Sequence, residues 1–368
     1  MDPRVLEAML PFYTDHFGNA SSMTHRFGWT AADAVERARE QVASLIGASP
    51  REIVFTSGAT ESTNLAIKGV AESDPDKGNH IVICATEHRA TLDCCAALGK
   101  RGFEVTCVAV DEYGIIDIGD LESAIGDRTI LIGVMAANNE IGSIHSLEEI
   151  GALAQKHGIP WHCDAAQAVG KFPVHVTDWG VSLLSISAHK LYGPKGQGAL
   201  FVRRRPTRTR LTPQQDGGGQ EGGLRSGTPN VPGIVGLGKA CELCEAEMEV
   251  ETPRIRSLRD RLQLRIESAV SDVVLNGHPQ RRLAGCLSLS FPGADGAELI
   301  RALGEIAVSA GSACTSGSNA PSHVLKAIGR TDDMAFSSLR FGLGRFNTES
   351  EIDVAADRVI EQVSRARK

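Results

Sequence analysis

Short apolar runs alternate with amphipathic stretches over residues 52–202. The amphipathic stretches at residues 62–71, 90–101 and 147–157 have the spacing of helices. Seven apolar runs, rich in Val and Ile, predict strands: residues 52–56, 80–85, 103–110, 129–136, 159–163, 183–187 and 199–202. Strands and helices that alternate in this way indicate an α/β fold with a mostly parallel seven-stranded sheet that is covered on both faces.

A different pattern begins at residue 232, from which charged residues are interspersed among Leu, Ile and Ala up to residue 270. This spacing predicts a long helix. Three further apolar runs predict strands: residues 273–275, 286–291 and 338–342. A capping box at residues 348–351 begins an amphipathic C-terminal helix. We therefore expect a large α/β domain over residues 1–248 and a smaller α+β domain over residues 249–368.

The composition narrows the class of protein. The chain has 368 residues, of which 42% are hydrophobic, and its net charge is −7 at pH 7. This charge argues against nucleic acid as a partner, and no apolar run approaches the roughly 20 residues of a membrane-spanning helix. The nine cysteines are an odd number spread along a long chain, which favours reduced thiols over a disulfide framework. We expect a cytoplasmic protein without a membrane partner.

Two candidate catalytic residues follow neighbouring apolar runs. Lys190 comes shortly after the run at residues 183–187, and Asp164 directly follows the run at residues 159–163. A lysine that forms a Schiff base and an acid that keeps a pyridinium nitrogen protonated are the two groups that pyridoxal phosphate needs as an electron sink. Taken alone, Lys190 would favour the simpler interpretation of a solvated lysine. A carboxylate that ends a buried strand, by contrast, requires a cationic partner.

A metal site at residues 162–164 is the competing interpretation of this acid. His162, Cys163 and Asp164 are adjacent on a predicted strand, so their side chains alternate between opposite faces. They cannot converge on one ion, and we expect no metal there.

Two runs of small or polar residues are suited to hold a phosphate. The first is the turn TSGAT at residues 56–60, where the backbone N–H groups around Ala59 and the hydroxyl of Thr60 precede a predicted helix. A plain helix N-cap is the alternative, and by itself the more common one. The second run contains Ser187 and His189, which come immediately before Lys190 and can complete a phosphate cradle.

Two more polar residues follow predicted strands at the edge where open α/β sheets bind ligands. His88 follows the strand at residues 80–85 and could lie over a flat cofactor ring and move a proton. Asn139 follows the strand at residues 129–136 and could donate to a substrate carboxylate. The alternatives are a helix-capping histidine and a turn asparagine.

Eight ordered motifs extend along nearly the whole chain. They are TSGATES (56–62), TEH (86–88), NNEIG (138–142), HCDAAQ (162–167), SAHK (187–190), RSGT (225–228), GSACTS (311–316) and LRF (339–341). Together they resemble the motifs of the cysteine desulfurases of the NifS/IscS type, which belong to the class V aminotransferases and have the fold type I of pyridoxal phosphate enzymes.

The resemblance implies a cofactor, a substrate and a role for each motif. Pyridoxal 5'-phosphate would be carried by Lys190, and L-cysteine would be the substrate of a homodimer. The cofactor would be held by Asp164 at the ring nitrogen, Gln167 at the phenolic oxygen, His88 stacked on the ring, and Ala59, Thr60, Ser187, His189 and the partner subunit's Thr228 at the phosphate. Asn139 would belong to the cofactor-binding set as well, and Asn139 and Arg340 would fix the substrate carboxylate. The planar fork of arginine suits that task.

The resemblance also assigns the nucleophile to Cys314. Its surroundings are rich in Gly, Ser and Ala, which fits an exposed and mobile loop, although burial is common for cysteine. The thiolate would attack the substrate sulfur, so that L-alanine leaves and a persulfide remains for a sulfur acceptor, as in iron–sulfur cluster assembly. Four other cysteines lie in apolar runs and are expected to be buried: Cys84, Cys107, Cys163 and Cys286.

Two alternatives remain open at this stage. The same cofactor set would serve a selenocysteine lyase or a cysteine sulfinate desulfinase. The chain could also be a non-catalytic partner of an active relative, because family members usually begin with an additional strand and an Asp-x-x-Ala-Thr-Thr-like turn ahead of the stretch that starts here at residues 2–5. We expect either an upstream natural start or reduced activity.

Overall fold

The computed structural model describes residues 1–74, 76–310 and 320–367. Within these residues the helices are α1 (Pro3–Met9), α2 (Pro11–Thr14), α3 (Arg26–Leu45), α4 (Ala59–Ala71), α5 (Arg89–Gly99), α6 (Ile118–Ser123), α7 (Leu147–His157), α8 (Val231–Ala269), α9 (Gly296–Leu303), α10 (His323–Ala327), α11 (Asp332–Phe336) and α12 (Glu349–Ala366). The strands are β1 (Ile53–Thr56), β2 (His80–Cys84), β3 (Glu104–Val108), β4 (Thr129–Gly133), β5 (Trp161–Asp164), β6 (Leu183–Ser187), β7 (Gly198–Val202), β8 (Val274–Leu275), β9 (Cys286–Ser290), β10 (Ser309–Ala310) and β11 (Ser338–Gly342).

The chain divides into two compact units. The first unit comprises Met1–Val108, Ile118–Ala136 and Ser146–Met248. The second comprises Ala109–Asp117, Ala137–His145 and Glu249–Lys368. Two short segments from the earlier part of the chain therefore belong to the second unit, and helix α8 begins in the first unit and ends in the second.

The first unit contains a seven-stranded sheet with the strand order β1-β7-β6-β5-β4-β2-β3. The neighbouring pairs among β2, β3, β4, β5 and β6 are parallel. Strand β7 is antiparallel to both of its neighbours, because the connection from β6 is too short for the crossover that a parallel strand needs. The predicted α/β fold with a mostly parallel seven-stranded sheet is confirmed.

The sheet of the first unit is buried by helices that pack against it. Leu65 and Ile67 of α4 and Leu98 of α5 belong to one apolar cluster with Ile81 of β2 and Leu131 of β4. Each of these side chains is at most 3% exposed, and such burial stabilises the fold by roughly 1.5–3 kcal/mol per side chain.

One expectation about this sheet is wrong. Cys107 was predicted to be buried, but it is exposed. It lies on β3, which is an edge strand with several solvent-facing positions. An apolar run cannot distinguish an edge strand from a central one, because that difference depends on which strands pair. Cys84, Cys163 and Cys286 are buried as predicted.

The second unit contains a four-stranded antiparallel sheet with the order β10-β11-β9-β8. Helices α9 and α12 cover it with an apolar cluster that includes Leu287, Leu339 and Val359. The predicted capping box is present at the start of α12, where the Thr348 hydroxyl accepts from the Glu351 N–H and the Glu351 carboxylate accepts from the Thr348 N–H. In the part of the chain that the structure describes, no helix is long and apolar enough to span a bilayer.

Candidate active site

The carboxyl ends of several strands of the first unit bring candidate residues to one edge of the sheet. Strands β2, β4, β5 and β6 run in the same direction, and β1 shares it because both β1 and β6 are antiparallel to β7. Chain segments that leave these strands therefore start at the same edge, which is where open α/β sheets bind ligands. The segments after β1, β2, β5 and β6 contain Thr60, His88, Gln167 and Lys190 respectively.

The turn between β1 and α4 has the properties of a phosphate site. Gly58 is the N-cap of α4 and has φ 149°, a conformation that favours glycine, and a Cβ at this position would meet open space. Ala59 and Thr60 are the first two residues of the 13-residue helix, and Thr60 is exposed. The N–H groups of a helix N-terminus and the helix dipole favour a bound anion. The turn therefore suits the phosphate of the cofactor.

Strand β6 is followed by a 3₁₀ turn, Ala188–Leu191, which contains Lys190. The hydroxyl of Ser187 and Nδ1 of His189 are hydrogen-bonded at 2.9 Å. Partial burial lowers the pKa of His189, and the nearby charge of Lys190 adds to this effect. Tyr192, with φ 62°, turns the chain after this segment. Ser187 and His189 thus form a polar pair directly before the exposed Lys190.

Asp164 ends strand β5 and is only 5% exposed. Its Oδ1 accepts a hydrogen bond of 2.9 Å from the N–H of Ala166. Burial raises the pKa of Asp164, whereas this hydrogen bond and the charges of His88 and Lys190 lower it. These two side chains are therefore within electrostatic reach of the carboxylate. Gln167, three residues later, is half-buried in the following turn.

His88 is the N-cap of α5, so the capping interpretation is correct for one of its ring nitrogens. Nδ1 of His88 accepts a hydrogen bond of 3.1 Å from the N–H of Ala90. In the neutral ring the proton is consequently on Nε2. The cap fixes the orientation of the ring and leaves Nε2 as its proton-carrying atom.

Glu87, next to His88, is a buried acid that the sequence analysis did not select. Its carboxyl group is inaccessible to solvent, and its Oε1 accepts a hydrogen bond of 2.6 Å from the N–H of Met135. Burial raises the pKa of Glu87 well above its ordinary value, and the negative charge of Asp164 raises it further. The carboxyl group therefore keeps its proton to a higher pH than an exposed glutamate does. The signal available in the sequence was an acid three residues after the end of an apolar strand.

Two candidate substrate-binding residues lie together in the second unit. Nη1 of Arg340, on β11, donates a hydrogen bond of 2.8 Å to the backbone carbonyl of Asn139. The side chain of the preceding residue, Asn138, accepts from the N–H groups of Glu140 and Ile141, so the turn asparagine is Asn138. Both Asn139 and Arg340 are half-buried.

Two candidates remain. Thr228 is exposed and lies between β7 and α8 in the first unit. Cys314 lies outside the described residues.

The residues of the first unit fit pyridoxal phosphate. Asp164 is a buried carboxylate that needs a cationic partner, and a pyridinium N–H supplies one. The N-terminus of α4 suits the phosphate, and Lys190 offers the amine that carries the aldehyde group. These three features match the ring nitrogen, the phosphate and the aldehyde group of pyridoxal phosphate.

Comparisons with known proteins agree with this fit. The family model for the class-V aminotransferases matches residues 1–354. The chain is 52% identical to a cysteine desulfurase IscS of Anaeromyxobacter sp. (strain K), over 100% of this chain and 91% of that protein.

Two solved structures are also similar. A NifS-like protein has a TM-score of 0.92 and 37% identity, covering 99% of this chain and 96% of that one. The structure of SspA in complex with cysteine has a TM-score of 0.83 and 38% identity, covering 95% and 97%. The chain therefore belongs to the class-V aminotransferase family and, within it, to the pyridoxal phosphate-dependent cysteine desulfurases of the NifS/IscS type.

Proposed function

We propose that this protein removes sulfur from L-cysteine, releases L-alanine and retains the sulfur as a persulfide on Cys314. The observation that carries the proposal is the relation between Asp164 and Lys190. Asp164 ends β5 and Lys190 follows β6, the parallel strand next to it, and the charge of Lys190 acts on the buried carboxylate. Two solved relatives, a NifS-like protein and SspA with bound cysteine, support the choice of reaction.

The large unit supplies the groups that hold the cofactor. Pyridoxal 5'-phosphate, when bound, draws electrons from the substrate carbon next to the amine and so weakens the bonds to that carbon. Lys190 would bind the cofactor through Nζ and would hold or move a proton at that atom. Asp164 would hold the proton on the ring nitrogen. Gln167 would donate to the phenolic oxygen.

His88 is the second candidate for proton movement. Its Nδ1 is occupied by the cap of α5, so Nε2 is the atom that gives or takes a proton. The same cap holds the ring in one orientation, which suits stacking on a flat cofactor. Lys190 and His88 would together provide a proton donor and a proton acceptor for the reaction.

The cofactor phosphate is bound by the N-terminus of α4 and by neighbouring polar groups. We assign to it the N–H of Ala59, the hydroxyl of Thr60, the Ser187 and His189 pair, and the partner subunit's Thr228. A homodimer is supported by exposed aromatic side chains in the N-terminal part of the first unit: Phe17, Phe27 and Trp29 are 70%, 45% and 52% exposed. An apolar surface of this kind favours a protein partner.

Three further residues are assigned to the substrate. Arg340 and Asn139 bind the carboxylate of L-cysteine. The Cys314 thiolate then attacks the substrate sulfur, so that a sulfur–sulfur bond forms and the carbon–sulfur bond breaks. The electron pair of the broken bond remains with the alanine carbon, which takes up a proton.

The persulfide is passed to an acceptor protein. The name IscS of the Anaeromyxobacter relative supports a role in iron–sulfur cluster assembly. A cytoplasmic location is supported by the same relative and by the absence of disulfides among the cysteines of residues 1–74, 76–310 and 320–367.

The test combines cofactor, nucleophile and product. Borohydride reduction followed by peptide mapping should label Lys190, and incubation with L-cysteine should add one sulfur atom to the peptide that contains Cys314. Cys314→Ala should abolish alanine formation while the absorbance of the bound cofactor is retained. Cys107→Ala, at the exposed cysteine of β3, is the matched control and should keep full turnover. Unchanged turnover in Cys314→Ala, or an unlabelled Lys190, would contradict the proposal.

A further inference from the structure

An ion pair joins the turn between β1 and α4 to the segment that carries Thr228. This turn, residues 57–60, is called the phosphate turn below. Glu61 lies in the first turn of α4, directly after Thr60. Its Oε1 accepts a hydrogen bond of 2.9 Å from Nε of Arg225, and its Oε2 accepts one of 2.7 Å from the N–H of Ser57. Arg225 comes three residues before Thr228. One carboxylate therefore holds both the turn before α4 and the segment before Thr228.

A second set of contacts fixes the same segment. The carboxylate of Glu221 accepts hydrogen bonds from Nη1 and Nη2 of Arg39, at 2.8 and 2.9 Å, and from the N–H of Phe55 in β1, at 2.8 Å. The side chain of Gln220 accepts from the N–H of Gly227 at 2.8 Å. These contacts hold the chain on either side of Arg225 against the start of the phosphate turn.

The negative charge of Glu61 has to be compensated by the positive charge of Arg225. A carboxylate in the first turn of α4 would repel a phosphate at the same helix end unless its charge were compensated. Burial alone would raise the pKa of Glu61, but the hydrogen bonds from Arg225 and Ser57 lower it, so the group is ionised at neutral pH. Glu61 and Arg225 are each about one quarter exposed, which limits solvent screening of the pair.

We propose that the Glu61–Arg225 ion pair couples the two cofactor sites of the dimer. This inference rests on the proposed function, in which Thr60 contacts the phosphate of its own subunit and Thr228 contacts that of the other. Binding of one phosphate orders the turn that contains Ser57 and Thr60. Because the ion pair joins this turn to the segment of Thr228, that segment becomes ordered as well. The second site then binds its phosphate more tightly, which is positive coupling between the sites.

The test is cofactor binding to the apo-protein, measured by absorbance and fluorescence. The wild type should bind pyridoxal 5'-phosphate with positive cooperativity. Glu61→Gln should remove the cooperativity and so lower the affinity of the second site about 10-fold relative to that of the first, in the range of a typical coupling. Pyridoxal, which lacks the phosphate, should bind Glu61→Gln and wild type equally.

A matched control is available on the same helix. Glu72 is the C-cap of α4 and is ion-paired with Arg101 at 2.7 Å. Glu72→Gln removes a similar pair at the other end of α4 and should leave the binding isotherm unchanged. If Glu61→Gln does not fold, Arg225→Lys is the second variant, because it keeps the positive charge and loses the Nε–H that donates to Glu61. Its cooperativity should be reduced but not abolished.

A double-mutant cycle with Thr228→Ala identifies the route. If the ion pair acts through Thr228, Glu61→Gln should change the affinity less than about 2-fold in the Thr228→Ala background. Equal effects in both backgrounds, or an equal effect on pyridoxal, would overturn the coupling. An unchanged isotherm in Thr228→Ala with normal turnover would overturn it too, while the desulfurase function would stand. A wild type that binds no cofactor would refute both.

Discussion

The hydroxyl of Ser322 donates a 2.5 Å hydrogen bond to the carboxyl group of Glu140, and both side chains are buried in the second unit. Glu140 directly follows Asn139. Ser309 of β10, in turn, is paired with Arg340 of β11. Asn139 and Arg340, the residues assigned to the substrate carboxylate, are therefore next to two contacts. The pairing of Ser309 holds the chain before residue 311, and the hydrogen bond of Ser322 holds it after residue 319.

Ser322→Ala should therefore affect both stability and sulfur transfer. It removes the bond to Glu140 and the N-cap of α10, where Ser322 accepts from the N–H groups of Val324 and Leu325. We expect a loss of about 1–3 kcal/mol in the free energy of unfolding, measured by urea titration, because a buried polar group loses its partner. The rate of persulfide formation on Cys314 should fall while cofactor absorbance is unchanged.

The control is Ser337→Ala, which removes a hydrogen bond of another buried serine in the second unit, to the carbonyl of Met334. It should lower stability by about 1 kcal/mol without slowing persulfide formation. Equal kinetic effects in the two variants would show that the Glu140 contact has no special role.

Glu87→Gln should change the pH dependence of stability. Burial raises the pKa of Glu87 in the folded protein, whereas the unfolded chain releases this proton above a pKa of about 4.3. The unfolded state then binds fewer protons, so this group makes the wild type less stable as the pH rises. Glutamine keeps an acceptor for the N–H of Met135 and does not titrate. The variant should gain stability relative to wild type between about pH 5 and pH 8.

Urea unfolding at several pH values measures this difference. Glu112→Gln, at an exposed position, is the control and should show a constant difference from wild type. A constant difference in Glu87→Gln as well would mean that Glu87 is ionised in the folded protein.

Gly198→Ala should disturb the phosphate turn from the neighbouring strand. Gly198 of β7 is paired with Thr56 on one side and Ser187 on the other. A Cβ at this position would lie 2.5 Å from the carbonyl oxygen of Ile186 and 2.6 Å from Cα of Gly58. Because both are backbone atoms, the turn must shift, at a cost of about 1–3 kcal/mol. We expect weaker binding of pyridoxal 5'-phosphate to the apo-protein and a lower melting temperature.

Gly99→Ala is the matched control, because a Cβ at the end of α5 meets no atom within 4 Å. It should leave cofactor binding unchanged and should stabilise the fold slightly. Normal affinity in Gly198→Ala would show that the turn tolerates displacement.

Asp164→Asn should separate cofactor binding from catalysis. Asparagine can still accept the hydrogen bond from the N–H of Ala166, but it does not supply the charge that keeps a ring nitrogen protonated. We expect kcat to fall by at least about 100-fold, as for the loss of an electrostatic stabiliser, while the cofactor remains bound. Asp178→Asn, at an exposed position, should behave as wild type. Full activity of Asp164→Asn in alanine-formation assays would exclude the assigned role.

The periodic pattern of the sequence determined which segments become strands and helices. The strands from β1 to β7 and the capping box of α12 were predictable because short apolar runs and cap chemistry are local properties of the sequence. Asp164 at the end of a buried strand was recognisable for the same reason. Helix α3 was not predicted, although Ala31, Val35, Ala38 and Val42 have helical spacing.

Only the tertiary structure decided which strands are neighbours and which groups lose their water. The exposure of Cys107 depends on β3 being an edge strand, and the raised pKa of Glu87 depends on its burial near Asp164. The contact between Arg340 and Asn139, and the ion pair between Glu61 and Arg225, join residues far apart in the chain. Strand order and desolvation arise from such distant contacts, which no local spacing of residues records.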